Sequence, residues 1–484
     1  MNTHYRPATL VAALLLWGSA LAAQTPAAAV DSIHRAFVML SARLDSIESG
    51  RCPAVPVDVT LIPAGDANTD SLVVALRALA ERVNRMAVER CAQADRPAAV
   101  PAAEHAPASA PARSGGGYMN IGFDGLSDFG WSTASDVGAL QRGDHDPAVR
   151  GFTVPNAELT LDGAVDPYFK GFVNIVYKQD AAGATGTELE EMFFLTTSLP
   201  ANLQMKAGQF FTEFGRQNPQ HPHSWSFVDQ PLVLNRMFGP DGLRGQGVRV
   251  SWLPPLPWYT EGMLTVMNSV GGTTFSFRSD ESSQIHGGRP VPRAVDAFHD
   301  LLLVPRLASS VDLTPTQTLL FGASAAFGPN NSGSSARTRI YGADLYWKWK
   351  SATAAQGFPF ASLQSEVLAR RYDAAQRVSI GDSLVTLPAE RLKDWGAYSQ
   401  LLWGVRPRLV LGARGEIADG DDAAFTSTLR SRRYRVSPSV TWYPSEFSKV
   451  RLQYNYDDRR GIGTDHSLWL QTEFILGAHA AHKF

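Results

Sequence analysis

The carboxyl-terminal stretch constrains the fold of this chain more than any other segment. Leu468, Leu470, Phe474, Leu476, Ala478, Ala480 and Phe484 fall on even positions, while Trp469, Gln471, Glu473 and His479 fall on odd ones. Side chains of a strand point alternately to its two faces, so this beat keeps one face apolar as far as the last aromatic residue. A soluble domain rarely leaves such a strand exposed, whereas the closing strand of an outer-membrane β-barrel requires it.

The amino-terminal end agrees. Arg6 supplies a positive start, Leu10 to Trp17 an apolar core too short to span a bilayer, and Ala20-Leu21-Ala22 a small-residue cleavage signal. Residues 1–22 are therefore expected to be a signal peptide. No later stretch reaches about 18 consecutive apolar residues, the length a membrane helix needs. Without such helices a chain crosses hydrocarbon only as a closed barrel, because every backbone polar group must find a partner there. The expected location is the cell outer membrane, with the N-terminal segment in the periplasm. A formal net charge of -2 gives no sign of a nucleic-acid partner.

Residues 23–94 read as a periplasmic coiled-coil region. Ile33, Phe37, Leu40, Leu44 and Ile47 form one heptad seam, and Leu72, Leu76, Leu79, Val83 and Met86 form a second, with Asp31 and Asp70 as helix caps. Helices this short need a partner to be stable. Residues 95–117 are rich in Ala, Pro and Gly and read as a linker. Cys52 and Cys91 fall in an exported region, which predicts a disulfide. In an antiparallel hairpin they would lie roughly 30 Å apart for a 20-residue helix, beyond bonding reach. A parallel return and a bridge between protomers both stay open, and two unpaired thiols are the alternative.

Residues 118–484 break into sixteen alternating segments, the first spanning 118–124 and the last 466–484. Short connections carry Asp166-Pro167, Pro200-Ala201, Pro254-Pro255, Thr314-Pro315, Arg406-Pro407 and Tyr443-Pro444; long ones fill 125–149, 214–245, 269–297 and 373–391. Short periplasmic turns opposite long outer loops are a barrel pattern, and Trp252, Trp258, Trp347, Trp349, Trp403, Trp442 and Tyr443 suit interfacial girdles. A propeller or sandwich also has many short strands, but the chain shows no blade repeat. The fold expected is an all-β membrane protein: a 16-stranded antiparallel transmembrane β-barrel preceded by the periplasmic coiled coil.

Leu-Gln-Met-Lys-Ala-Gly-Gln-Phe-Phe-Thr-Glu-Phe-Gly, from Leu203 to Gly215, and the preceding Glu190-Glu191-Met192-Phe193 carry a resemblance. They resemble strand signatures of the phosphate-selective porin O and P family, and the likeness extends loosely over 118–484. The resemblance implies a homotrimeric channel, in some members selective for phosphate through lumenal Arg and Lys.

Strand parity assigns the lumen. In the last strands but one, Tyr434, Val436, Val440, Trp442, Leu452, Tyr454 and Tyr456 should face lipid, leaving Arg433, Arg435, Lys449 and Arg451 inside. The same rule turns Lys206, Arg249, Arg306, Lys348, Arg370 and Arg414 inward, together with Glu158, Glu190, Asp344, Glu366, Glu416 and Glu473. A basic cluster on neighbouring strands would raise local anion concentration. The competing reading is that these charges pair across strands and merely keep the lumen wet. Loop 214–245 is the candidate to fold inward and narrow the pore with Arg216, His221, His223, Arg236 and Arg244.

His221-Pro222-His223 has no fixed third ligand, and Asp124, Asp128, Asp144 and Asp146, placed in the first loop, lack calcium-loop spacing, so neither a metal nor another cofactor is expected. No Gly-x-Ser-x-Gly elbow is present, so catalysis is not expected. The function expected is passive diffusion of small hydrophilic solutes through a water-filled channel in outer-membrane lipid, with weak preference for anions, phosphate among them. The competing function is an envelope tether acting through the coiled coil.

Overall fold

The computed structural model describes residues 119–477, apart from 181, 280–282, 288–294, 379–385 and 426, together with helical positions scattered between 32 and 84. The expected signal peptide, Cys52 and Cys91, the linker, all five seam positions of the first helix and residues 478–484 lie outside the described residues. The chain divides into two units, Met1–Ala110 and Pro111–Phe484. In the first unit Val73, Leu76, Ala80 and Val83 are buried at spacings of three, four and three, while Val74, Arg77, Ala78 and Glu81 are exposed. That is one apolar stripe along a helix. Leu76 and Val83 belong to the expected seam; Leu72, Leu79 and Met86 fall outside the described residues.

The second unit is the expected barrel. Its strands are β1 Met119–Ser132, β2 Gly151–Ala164, β3 Phe169–Gln179, β4 Thr185–Thr196, β5 Leu203–Phe211, β6 Arg244–Trp252, β7 Tyr259–Asn268, β8 Leu301–Thr314, β9 Gln317–Pro329, β10 Arg337–Ala355 and β11 Phe358–Ala374. A two-stranded ribbon, β12 Arg377–Val378 with β13 Thr386–Leu387, follows in a loop. The wall resumes with β14 Glu390–Arg406, β15 Leu409–Gly420, β16 Arg433–Ser445, β17 Ser448–Arg459 and β18 Gly463–Gly477. Each wall strand pairs antiparallel with its neighbours, and β1 pairs with β18 from Gly122↔Gly477 to Ser132↔Ser467, closing sixteen strands into a ring. Closure leaves no unpaired edge, as hydrocarbon demands.

The two faces of the wall follow the parity of the sequence. Tyr434, Val436, Val440 and Trp442 on β16 are exposed, while Arg433, Arg435, Ser437 and Ser439 between them are buried. Exposed aromatics collect at both strand ends: Phe129, Trp131, Phe152 and Trp395 toward the long loops, Trp252, Trp258, Trp403 and Trp442 toward the short turns. These are the two girdles of a transmembrane barrel. Trp347 and Trp349 are half-buried, and Tyr443 turns into the lumen, one residue out of phase with Trp442.

The end of β1 differs from expectation. β1 runs to Ser132, so Asp124 and Asp128 are buried wall residues rather than loop ligands. The alternation is masked there because the outward positions 125 and 127 hold Gly and Ser while Leu126 faces inward, buried, beside a register shift against β2.

A second feature breaks the simple rule that the lumen is polar. Met267, Leu302, Val304, Ala326, Ile340, Leu368 and Tyr398 project inward from the wall and pack with Phe214, Val233, Leu234, Met237, Phe238 and Leu243 of the β5–β6 connection. The run Leu301-Leu302-Leu303-Val304 is apolar on both faces because one meets lipid and the other meets this folded loop.

Candidate functional site

Residues 212–243, the β5–β6 loop, cross the inside of the barrel and are held at both walls. The loop turns inward at Gly215, whose φ of +64° and close approach to the Glu366 carboxylate leave no room for a Cβ. Glu366 accepts the backbone N–H of Arg216 at 3.1 Å and of Gln217 at 2.7 Å. Helix α1, Leu232–Phe238, then packs its apolar side chains on the wall and stops at Gly239, φ +81°. Its first N–H, at Leu232, donates to Glu416 at 2.6 Å, a carboxylate where the helix needs an acceptor.

On the same stretch of wall, across β15, β16 and β17, Asp229 is the anchor. It accepts from Arg414, from Arg435 at 3.0 Å, from Gln453 at 2.8 Å and from Asn455 at 3.0 Å. Backbone carbonyls of the loop are gripped as well: His223 by Lys449 at 2.5 Å, Trp225 by Arg451 at 2.8 Å, Asp229 by Arg414 at 2.9 Å and Gln230 by Arg435 at 2.8 Å. Burial alone would push the Asp229 carboxyl up; the Arg435 and Arg414 guanidiniums outweigh it and hold the group at about 2. Asp146 of the β1–β2 loop, buried beside Asp229, is instead pushed up to about 6.

The wall cations singled out from the sequence are therefore mostly paired. Lys206 and Arg249 meet Glu213 at 2.6 and 2.7 Å, Arg306 meets Asp344 at 2.6 Å, Arg433 meets Asp457, Arg435 meets Glu416 at 2.7 Å, and Lys449 meets Glu473 at 2.5 Å. Arg414 reaches Glu416 at 2.7 Å besides Asp229. Arg451 binds Gln471 at 3.0 Å, and Lys348 faces the lumen 5.8 Å from the Phe360 ring. A charge buried in a low-dielectric wall must be compensated, which is why carboxylates interleave with this cluster. Arg236 on α1 donates to the Arg430 and Ser431 carbonyls at 3.1 and 2.7 Å. Arg244 opens β6 rather than sitting in the loop, and pairs with Glu188 and Asp241.

His221 and His223 enter an acidic pocket of the opposite wall. The imidazole of His221 lies 2.9 Å from Glu190 and, through its other nitrogen, 2.8 Å from Glu191; His223 lies 3.3 Å from Glu158. Burial disfavours the charged His221 ring, and Glu190 and Glu158 outweigh that, holding it well above its ordinary value. Asp146 and Asp229, which the sequence did not single out as neighbours, are brought together by the first and third loops: Gln230 N–H donates to Asp146 at 2.8 Å.

On the short-turn side of the loop lies a cavity of about 410 Å³. Arg216, Lys348, Lys449 and His223 line it with Tyr346, Gln364 and other neutral residues, and no carboxylate belongs to that lining. Arg216 stacks on Tyr346 at 3.9 Å and donates to Gln364 at 3.1 Å. Neither Arg216 nor Lys348 makes an ion pair among the described residues, unlike the cations around the loop.

No family model matches the chain. A protein of Aquifex aeolicus (strain VF5), described as uncharacterized, is 30% identical over 355 residues, which cover 69% of this chain and 70% of the relative. The chain belongs to that protein's family. Among solved structures, it is similar in fold to the outer membrane channel DcaP of Acinetobacter baumannii, at 10% identity and a TM-score of 0.48 over 74% of this chain and 97% of that one. An anion-selective porin from Comamonas acidovorans gives 8% identity and a TM-score of 0.46 over 75% and 100%. Pseudomonas putida OprB gives 10% and 0.43 over 75% and 94%.

Proposed function

We propose that this barrel is an outer-membrane porin, a water-filled channel for small hydrophilic solutes with weak anion preference. The observation that carries the preference is the vestibule between the short turns and the crossing loop, where the side chains of Arg216 and Lys348 face the cavity and make no ion pair among the described residues. Unpaired cations at a constriction attract anions, whereas paired ones cancel at a distance of a few ångströms. The preference therefore originates at Arg216 and Lys348 rather than in the cluster on β15, β16 and β17, whose charge is spent on Asp229, Glu416, Asp457 and Glu473. Phosphate passes as one anion among several, because among the described residues no set of convergent bidentate donors is left to hold it dehydrated.

The motif Leu203–Gly215 supports a closer kinship with the phosphate-selective porin O and P family, and with it a homotrimer. Residues 1–22 serve as signal peptide, and the helices of residues 23–94 lie in the periplasm and contribute to protomer association, with Cys52 and Cys91 bridged. Planar-bilayer recording of the purified, heat-modifiable barrel tests the channel reading. Discrete conductance steps are expected; a folded barrel that never conducts would leave an envelope tether as the better description.

A further inference from the structure

A cluster outside the vestibule has the makings of a metal site. His145 of the β1–β2 loop, Glu190 of β4 and Asp241 of the β5–β6 loop meet where both loops touch the wall. His145 Nε2 lies 3.5 Å from Glu190 Oε1 and 3.4 Å from Asp241 Oδ1. His145 is 5% exposed and Glu190 1%. Among the described residues neither nitrogen of His145, nor either of those two oxygens, makes a hydrogen bond. Leaving such groups unsatisfied in a buried place is costly.

The spacing is informative. A charge-assisted hydrogen bond would close to about 2.7–2.9 Å, yet these atoms stand farther apart. Donors placed tetrahedrally around zinc at about 2.0–2.1 Å are separated by roughly 3.3–3.4 Å. Asp144 completes the group, with a carboxylate oxygen within 4.8 Å of the His145 and Asp241 donor atoms. The far oxygens are already committed: Asp241 Oδ2 to Arg244, and Glu190 Oε2 to Asn174 at 2.8 Å. Such outer contacts orient a carboxylate toward a metal.

We propose that Asp144, His145 and Asp241 bind a divalent transition-metal ion of the zinc type that clips the first loop to the third, beside Glu190 of the barrel wall. Imidazole with carboxylates suits zinc better than calcium or magnesium. Binding releases any proton held by the imidazole, so loading improves as the pH rises. The site is independent of the vestibule and of what the channel conducts.

The test uses the full-length barrel in detergent, stripped with a chelator, incubated with zinc chloride, dialysed, and measured for metal by mass spectrometry. About one zinc per chain is expected, together with a higher unfolding temperature in zinc. His145→Gln and Asp241→Asn, each checked for heat-modifiable mobility, should lose that zinc. A folded wild-type barrel that retains none overturns the proposal. So does full retention by either folded variant, which would move the metal to His221 and His223.

Discussion

The Arg414 guanidinium reaches from β15 into the lumen and holds Asp229 twice, through its carboxylate and through its backbone carbonyl at 2.9 Å. A wall residue thus fixes both the charge and the main chain of the segment that fills the pore. Because Arg435, Gln453 and Asn455 converge on the same carboxylate, the loop is held at one point by three strands.

Asp229→Asn should loosen that point. Removing one partner of a buried ion pair costs about 3–5 kcal/mol, since the other charge stays buried. Two guanidiniums are left facing a neutral amide, while the wall pairing is untouched. The barrel should keep its heat-modifiable mobility, and single-channel recordings should show larger, noisier conductance. Unchanged conductance in a folded variant would mean that the loop is held elsewhere.

Acid should have the same effect. The folded-state value of Asp229, about 2, is depressed below its ordinary 3.8. The stabilisation is therefore fully present above pH ~4 and is lost as the pH falls through about 2, amounting to about 2 kcal/mol. Conductance and its noise should rise as the bathing pH is lowered from 4 to 2. In Asp229→Asn this acid response should be absent.

The wall register predicts an asymmetry between the two faces. Leu452 is 46% exposed on the lipid side of β17, whereas Ser362 of β11 lines the vestibule. Leu452→Arg near the midplane should cost about 2–4 kcal/mol, and Ser362→Arg should be mild because the side chain can enter the cavity. Denaturant titration of the folded barrel by gel shift measures both. Equal tolerance would contradict the assignment of faces.

How legible all this was in the sequence differs by element. Strand number, faces and inward charges follow from a period of two, which a wall between lipid and lumen enforces residue by residue, as Tyr434 to Trp442 shows. The end of β1 was hidden because Gly125 and Ser127 occupy outward positions, so the apolar beat pauses while the strand continues. The partners of the wall cations were not legible. Asp229 pairs with Arg414 across 185 positions, and no local pattern announces a contact that only barrel closure creates. The double-sided run Leu301 to Val304 was the one signal that something apolar fills the lumen. His145 itself carried no signal, since of its carboxylate neighbours only Asp144 is local and Glu190 and Asp241 come from another strand and another loop.

The central claim is that the unpaired cations Arg216 and Lys348 set the selectivity of an open channel. Reversal potentials of the purified protein in a potassium chloride gradient test it most directly. The wild type should show a modest chloride preference that weakens as salt screens the field, and Arg216→Gln with Lys348→Gln should shift the potential toward potassium. Cation selectivity in the unmodified channel, or a potential that the double substitution leaves in place, would contradict it.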